Sequence, residues 1–224
     1  MSLQGIIFDL DGTLANTLPF CVRAYQLTTE HFTGHFPTEN DVTSLFGPAD
    51  EGVLEILVPG RLSESLPYYL NLYEQLHLID CKKPFPGVEK ALTLLQTKGI
   101  RTAIVTAKGP HTAAISLRIL GLDRWIDIME TGFSDRVDKP LSIRKVLERW
   151  RLKPEQVAYV GDTPYDIGAS VEAGLLPIGA AWASTSTLPK EGHPQAYKIF
   201  TDIDSFIDWI EIGEESKIYC ADDL

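Results

Sequence analysis

With 224 residues, 44% of them hydrophobic and 23% charged, the chain has the balance of one globular α/β domain or one domain with a modest insertion, which excludes wholesale disorder and a disulfide-stapled mini-protein. A net charge of −11, a pI of about 4.9 and the lack of any basic stripe predict no nucleic-acid partner and no membrane partner. No apolar run approaches the ~20 residues of a membrane helix, no secretion signal is recognisable, and the three scattered cysteines (Cys21, Cys81, Cys220) form no C-x-x-C pair, so a reducing, cytoplasmic setting is expected.

In chain order, the first element is the apolar run Gly5-Ile6-Ile7-Phe8, which ends abruptly in Asp9. Its length suits a strand buried on both faces. Four helical patterns follow, over 17–32, 39–45, 49–58 and 63–78, with no strand among them. That exceeds an ordinary crossover, so a helical module inserted after the first strand is expected. The chain leaves it through the Pro-rich linker 81–87. Helical patterns over 88–98, 111–120, 141–150 and 166–173 then alternate with strand candidates at 102–106, 126–129, 157–162, 177–181 and 198–200. Gly99, Gly121 and Gly174 supply helix stops. The alternation predicts an α/β fold, a doubly wound (Rossmann-like) parallel sheet with an α-helical cap inserted after its first strand. The expected division is an α/β core of 1–15 and 85–224 and a helical cap of 16–84.

Three strands end in reactive residue types: Asp9, Thr106 and Asp162. In open α/β sheets the ligand crevice lies beyond the carboxyl ends of the strands. Asp9-Leu10-Asp11-Gly12-Thr13 puts two carboxylates in one small volume beside a glycine that permits a tight turn. Like charges that close raise one another's pKa unless a cation neutralises them. Mg²⁺ is the natural partner, because it takes a few carboxylates and leaves room for a substrate phosphate. Asp162 adds a carboxylate from a neighbouring strand end, and Asp166 lies one helical turn further on. Either alone would read as a helix N-cap; together with Asp9 and Asp11 they read as a site.

Asp9-Leu10-Asp11-Gly12-Thr13-Leu14, Thr106, Lys139-Pro140 and Gly161-Asp162-Thr163-Pro164-Tyr165-Asp166 resemble, in order and spacing, the four motifs of the haloacid dehalogenase-like hydrolase superfamily. The stretch 85–88 and the run from Asp162 to Gly174 are most similar to its phosphoglycolate phosphatase-like branch. The resemblance implies a Mg²⁺-dependent phosphatase acting on a small phosphorylated metabolite, as a monomer or homodimer. It implies Asp9 as the nucleophile that becomes an aspartyl-phosphate, and Asp11 as general acid and base. Thr106, the Ala107 N–H and Lys139 would hold the phosphate. The metal would rest on Asp9, Asp162 and the Asp11 backbone carbonyl, with Asp166 behind them. Asp11 argues against carbon–halogen chemistry, since the dehalogenase branch lacks that acid. A sugar-phosphate mutase with the same catalytic set and a catalytically silent binding module stay open.

Arg23, Tyr25 and the Phe46-Gly47-Pro48 turn are candidate contributors from the cap, and Lys108 could add positive potential at the phosphate. His31 and His35, with Gly34 between them, read as a helix end rather than a metal pair. Of the 31 acids, eight lie in 201–224 beside one base, Lys217, so the other 200 residues carry only −4. The acidity therefore does not oppose a phosphate ligand.

Overall fold

The computed structural model describes residues 3–136, 138–190 and 192–212. Its centre is a six-stranded, all-parallel sheet: β1 (Gly5–Phe8), β2 (Arg101–Val105), β3 (Ile128–Glu130), β4 (Val157–Gly161), β5 (Leu176–Ala180) and β6 (Lys198–Phe200). The spatial order is β3-β2-β1-β4-β5-β6, so it reverses between β1 and β4. Phe8 is in register with Ile104 of β2 and Val160 of β4, which brings the carboxyl ends of all three strands level. Asp9, Thr106 and Asp162 therefore emerge side by side at the switch point of the sheet.

Strand alternation assigns the core to two layers. Ile6, Phe8, Ile104 and Val160 face one side, and Ile7, Ala103, Val105 and Tyr159 the other. On the first side pack α5 (Val88–Thr97) and α9 (Ile203–Ile212); on the second pack α7 (Lys139–Trp150) and α8 (Pro164–Ala173). Between β1 and α5 lie the four expected helices, α1 (Leu18–Thr33), α2 (Glu39–Thr43), α3 (Asp50–Leu57) and α4 (Leu62–Asp80). Of these, α4 rests on α6 (Pro110–Leu120), where the Tyr73 hydroxyl shares a 2.7 Å hydrogen bond with Ser116 Oγ and Arg118 pairs with Glu74. None of these helices is long and apolar enough to cross a membrane.

Two helices begin two residues before the positions read from the sequence, and one helix is absent from that reading. Helix α7 begins at Lys139 because Asp138 Oδ1 accepts from Leu141 N at 3.0 Å and Pro140 fits the first turn. Helix α8 begins at Pro164 because Thr163 and Asp166 form a reciprocal capping box. Helix α9 was not anticipated. Its acids masked an apolar face of Phe206, Ile207, Trp209 and Ile210 at helical spacing, all of it buried. The remainder of the acidic 201–224 stretch, with Lys217 and Cys220, lies outside the described residues; Cys21 and Cys81 are buried free thiols. Helix α1 ends at Gly34 in a left-handed C-cap, and His31 stacks on Tyr68 at 4.2 Å, as an ordinary helix end would.

Candidate active site

The loop after β1 doubles back on itself, Leu14 N donating to Leu10 O and Gly12 N to Ala15 O, each at 2.9 Å. Trp182 Nε1 holds it from outside through Thr13 O at 2.9 Å. Gly12 has φ +78, and a Cβ there would lie 2.3 Å from Asp162 Oδ2. Only glycine lets the loop after β1 approach Asp162 so closely.

Oxygens of Asp9, Asp162 and Asp166 lie within 4.8 Å of one another, and all three residues are buried. The Lys139 ammonium sits among them, 2.8 Å from Asp9 Oδ1 and 2.5 Å from Asp166 Oδ1. Asp166 is the most fully engaged of the three. Its Oδ1 also accepts from Tyr159 OH at 3.2 Å, and its Oδ2 accepts from Thr163 N and Oγ1. Asp166 thus caps α8 and orients Lys139 at once. Asp162 Oδ1 accepts from Thr13 Oγ1 at 3.3 Å, and no described Lys or Arg is ion-paired to Asp162.

Electrostatics follow from one cation facing three acids. Burial pushes Asp9 up to about 7; nearby Lys139 pulls it down, but Asp166 and Asp11 push the same way as burial. Asp162 is pushed up to about 8, first by burial and then by Asp9 and Asp166. Burial alone would lower Lys139, yet Asp166 and Asp9 outweigh it and hold the ammonium charged. Buried oxygens short of positive charge, at a mutual spacing that one ion can bridge, fit a hard divalent cation.

Asp11 lies across the loop from this cluster. Its Oδ1 accepts from Thr17 Oγ1 and pairs with Lys108 Nζ at 3.2 Å. Thr106 is buried, with its hydroxyl accepting from Lys108 N at 3.2 Å, and Ala107 follows it along the same wall. These groups share one cavity of about 520 Å³. Leu18, Tyr25, Phe46, Pro48, Asp50 and Val53 close it from the side of α1–α3.

All seven sequence-derived site residues, Asp9, Asp11, Thr106, Ala107, Lys139, Asp162 and Asp166, line this cavity. Tyr25 and the 46–48 turn do too. Arg23 does not: it is exposed, with its guanidinium over the Phe36 ring at 5.1 Å. Sequence reasoning missed Thr17 and Asp50. The buried Asp50 carboxylate accepts from Tyr25 OH at 2.8 Å, Tyr69 OH at 3.2 Å and Thr112 Oγ1 at 2.5 Å. Those donors come from three separate helices, so no local pattern announces the cluster.

A doubly wound sheet with acids and a lysine gathered at its switch point puts the chain among the α/β folds that take their ligand at that edge. The haloacid dehalogenase-like hydrolase profile matches residues 6–180, and the chain belongs to that family. It is an enzyme of the family's phosphatase kind. The pyrophosphatase PpaX of Anoxybacillus flavithermus is 32% identical over 184 residues, covering 81% of this chain and 85% of that protein. PpaX of Bacillus mycoides is 26% identical over 216 residues, covering 95% and 97%. In fold, the chain is similar to a "predicted phosphoglycolate phosphatase" from Haemophilus somnus, with a TM-score of 0.73 at 24% identity, covering 93% of this chain and 98% of the other.

Proposed function

We propose that the protein hydrolyses a small phosphate ester in two displacements, with Asp9 as the nucleophile and residues 16–84 acting as a cap over the site. The observation that carries this reading is the Asp9 carboxylate, buried at a strand end and fixed at 2.8 Å by Lys139. An Asp9 oxygen attacks phosphorus as the bond to the leaving oxygen breaks, giving an aspartyl-phosphate and an alkoxide. Asp11 delivers a proton to that alkoxide. Asp11 then takes a proton from a water that attacks the same phosphorus, and the bond to Asp9 breaks with release of phosphate. Thr106 Oγ1, the Ala107 N–H and the Lys139 ammonium hold the phosphoryl oxygens in place. Asp9, Asp162 and the Asp11 backbone carbonyl would hold Mg²⁺, with Asp166 behind them. When bound, the ion supplies further charge neutralisation for the transferring group.

The test is a panel of phosphorylated metabolites with Mg²⁺, scored by free phosphate. It includes phosphoglycolate, small sugar phosphates and pyrophosphate, the last because relatives carry that name. Release of phosphate from at least one member is expected. Isomerisation of a sugar phosphate without phosphate release would replace the phosphatase reading with the mutase.

Metal binding has its own readout in stability. Asp9 and Asp162 rise from 3.8 unfolded to about 7 and about 8 folded, so between those values the native state binds more protons than the unfolded state. Metal-free stability from these groups is therefore full below the unfolded value and lost as pH rises toward about 8. Mg²⁺ needs the ionised forms, so its stabilisation grows over the same window. At ~100-fold excess over Kd it is worth about 2.7 kcal/mol, or roughly 5–10 °C in Tm for a chain of this size. Melting curves with and without Mg²⁺ should separate clearly at pH 8 and converge near pH 5. An equal shift at both pH values would contradict the carboxylate site.

A further inference from the structure

Among the described residues, Lys108 is the one cavity cation that the proposed mechanism leaves without a task. Its side chain is 2% exposed, and burying an ammonium costs several kcal/mol unless it is well paired. Its carboxylate partner is Asp11, at 3.2 Å. Thr17 Oγ1 bonds the same Asp11 oxygen, Oδ1. Two restraints on one oxygen fix the rotation of the carboxylate, and Oδ2 accepts no hydrogen bond among the described residues. The reach of Lys108 is itself confined. Its ammonium lies 3.9 Å from Cys21 Sγ on α1 and 4.7 Å from the centroid of the Tyr73 ring on α4. The backbone of Lys108, by contrast, belongs to the loop after β2, where its N–H bonds Thr106 Oγ1.

From this geometry we infer that Lys108 is a positioning residue: it holds Asp11 so that Oδ2 faces the leaving oxygen, and it does so only while α1 and α4 are seated against the loop after β2. The inference rests on the proposed role of Asp11 and adds a residue to it. A group that serves proton delivery matters when the leaving group needs a proton and is dispensable when it does not. A purely structural lysine would weaken both cases alike.

The experiment compares the first turnover of an alkyl phosphate from the metabolite panel with the first-turnover burst from p-nitrophenyl phosphate, whose leaving group departs unprotonated. For Lys108→Met, the alkyl ester should slow on the order of 10²-fold, the lower end of what general acid catalysis supplies. Its KM should hold nearly constant and its p-nitrophenyl burst should stay near wild type. Lys108→Arg should recover part of the loss, and Asp11→Asn should show the same leaving-group bias, with Lys108→Met adding little on top of it. Should Lys108→Met fail to fold, Lys108→Gln carries the same comparison. Equal slowing on both esters, an effect on KM alone, or no slowing would overturn the inference. Asp9→Asn is the control that separates the two readings. If Asp9→Asn abolishes both reactions while Lys108→Met shows no bias, only the role of Lys108 is lost. If Asp9→Asn still turns over both esters, the mechanism itself is wrong.

Discussion

Asp9→Asn should abolish phosphate release, lowering kcat on the order of 10⁵–10⁶-fold, the scale seen when a covalent nucleophile is removed. An amide oxygen is a poor nucleophile, and the aspartyl-phosphate would have no carboxylate on which to form. The substitution preserves shape, and it removes one of the mutually repelling acids of the Asp9–Asp162–Asp166 cluster. Its thermal stability without metal should therefore equal or exceed that of the wild type. Inactive but well-folded protein is the expected pair of results, read by phosphate release and by melting. Phosphate release at the wild-type rate would refute the nucleophile assignment.

Lys139→Met should damage both catalysis and stability, for a shared reason. The ammonium touches Asp9 and Asp166 at 2.8 and 2.5 Å and is itself buried. Removing one member of a buried ion cluster strands the others and costs about 3–5 kcal/mol. That loss should appear in urea unfolding and shrink when Mg²⁺ is added, because a divalent ion can replace part of the missing charge. In turnover, loss of a preorganised donor at the phosphoryl group costs about 10²–10³-fold in kcat. An effect below tenfold at saturating Mg²⁺ would mean that Lys139 only balances charge.

Much of the fold was legible because it rests on local periodicity. The run from Gly5 to Phe8 has the length of a buried strand and forms one, and the helical patterns through α8 match the observed elements within a few residues. Helix α9 escaped because Asp202, Asp204, Asp208 and Glu211 made its segment read as a charged tail, while its apolar face was spaced for burial on α5. Arg23 was a candidate cap contributor beside Tyr25, but only Tyr25 lines the cavity. A helix has an outer face, and its packing on α4 and α2 turned Arg23 outward.

The net charge of −11 also reads differently once residues are placed. Asp9, Asp162 and Asp166 are buried acids gathered round one lysine, a local demand for cations rather than a field that repels phosphate.

By itself, the sequence determined the doubly wound class, the strand-end acids and the motif set from Asp9 to Asp166, since each depends on residue order over a few positions. Only the tertiary structure decided which charges neutralise which. Lys139 between Asp9 and Asp166, Lys108 on Asp11, and the Tyr25–Tyr69–Thr112 cluster round Asp50 join residues far apart in the chain. Such pairings are set by strand register and helix packing, and their energies by how completely burial removes water. Neither quantity exists until the chain has folded.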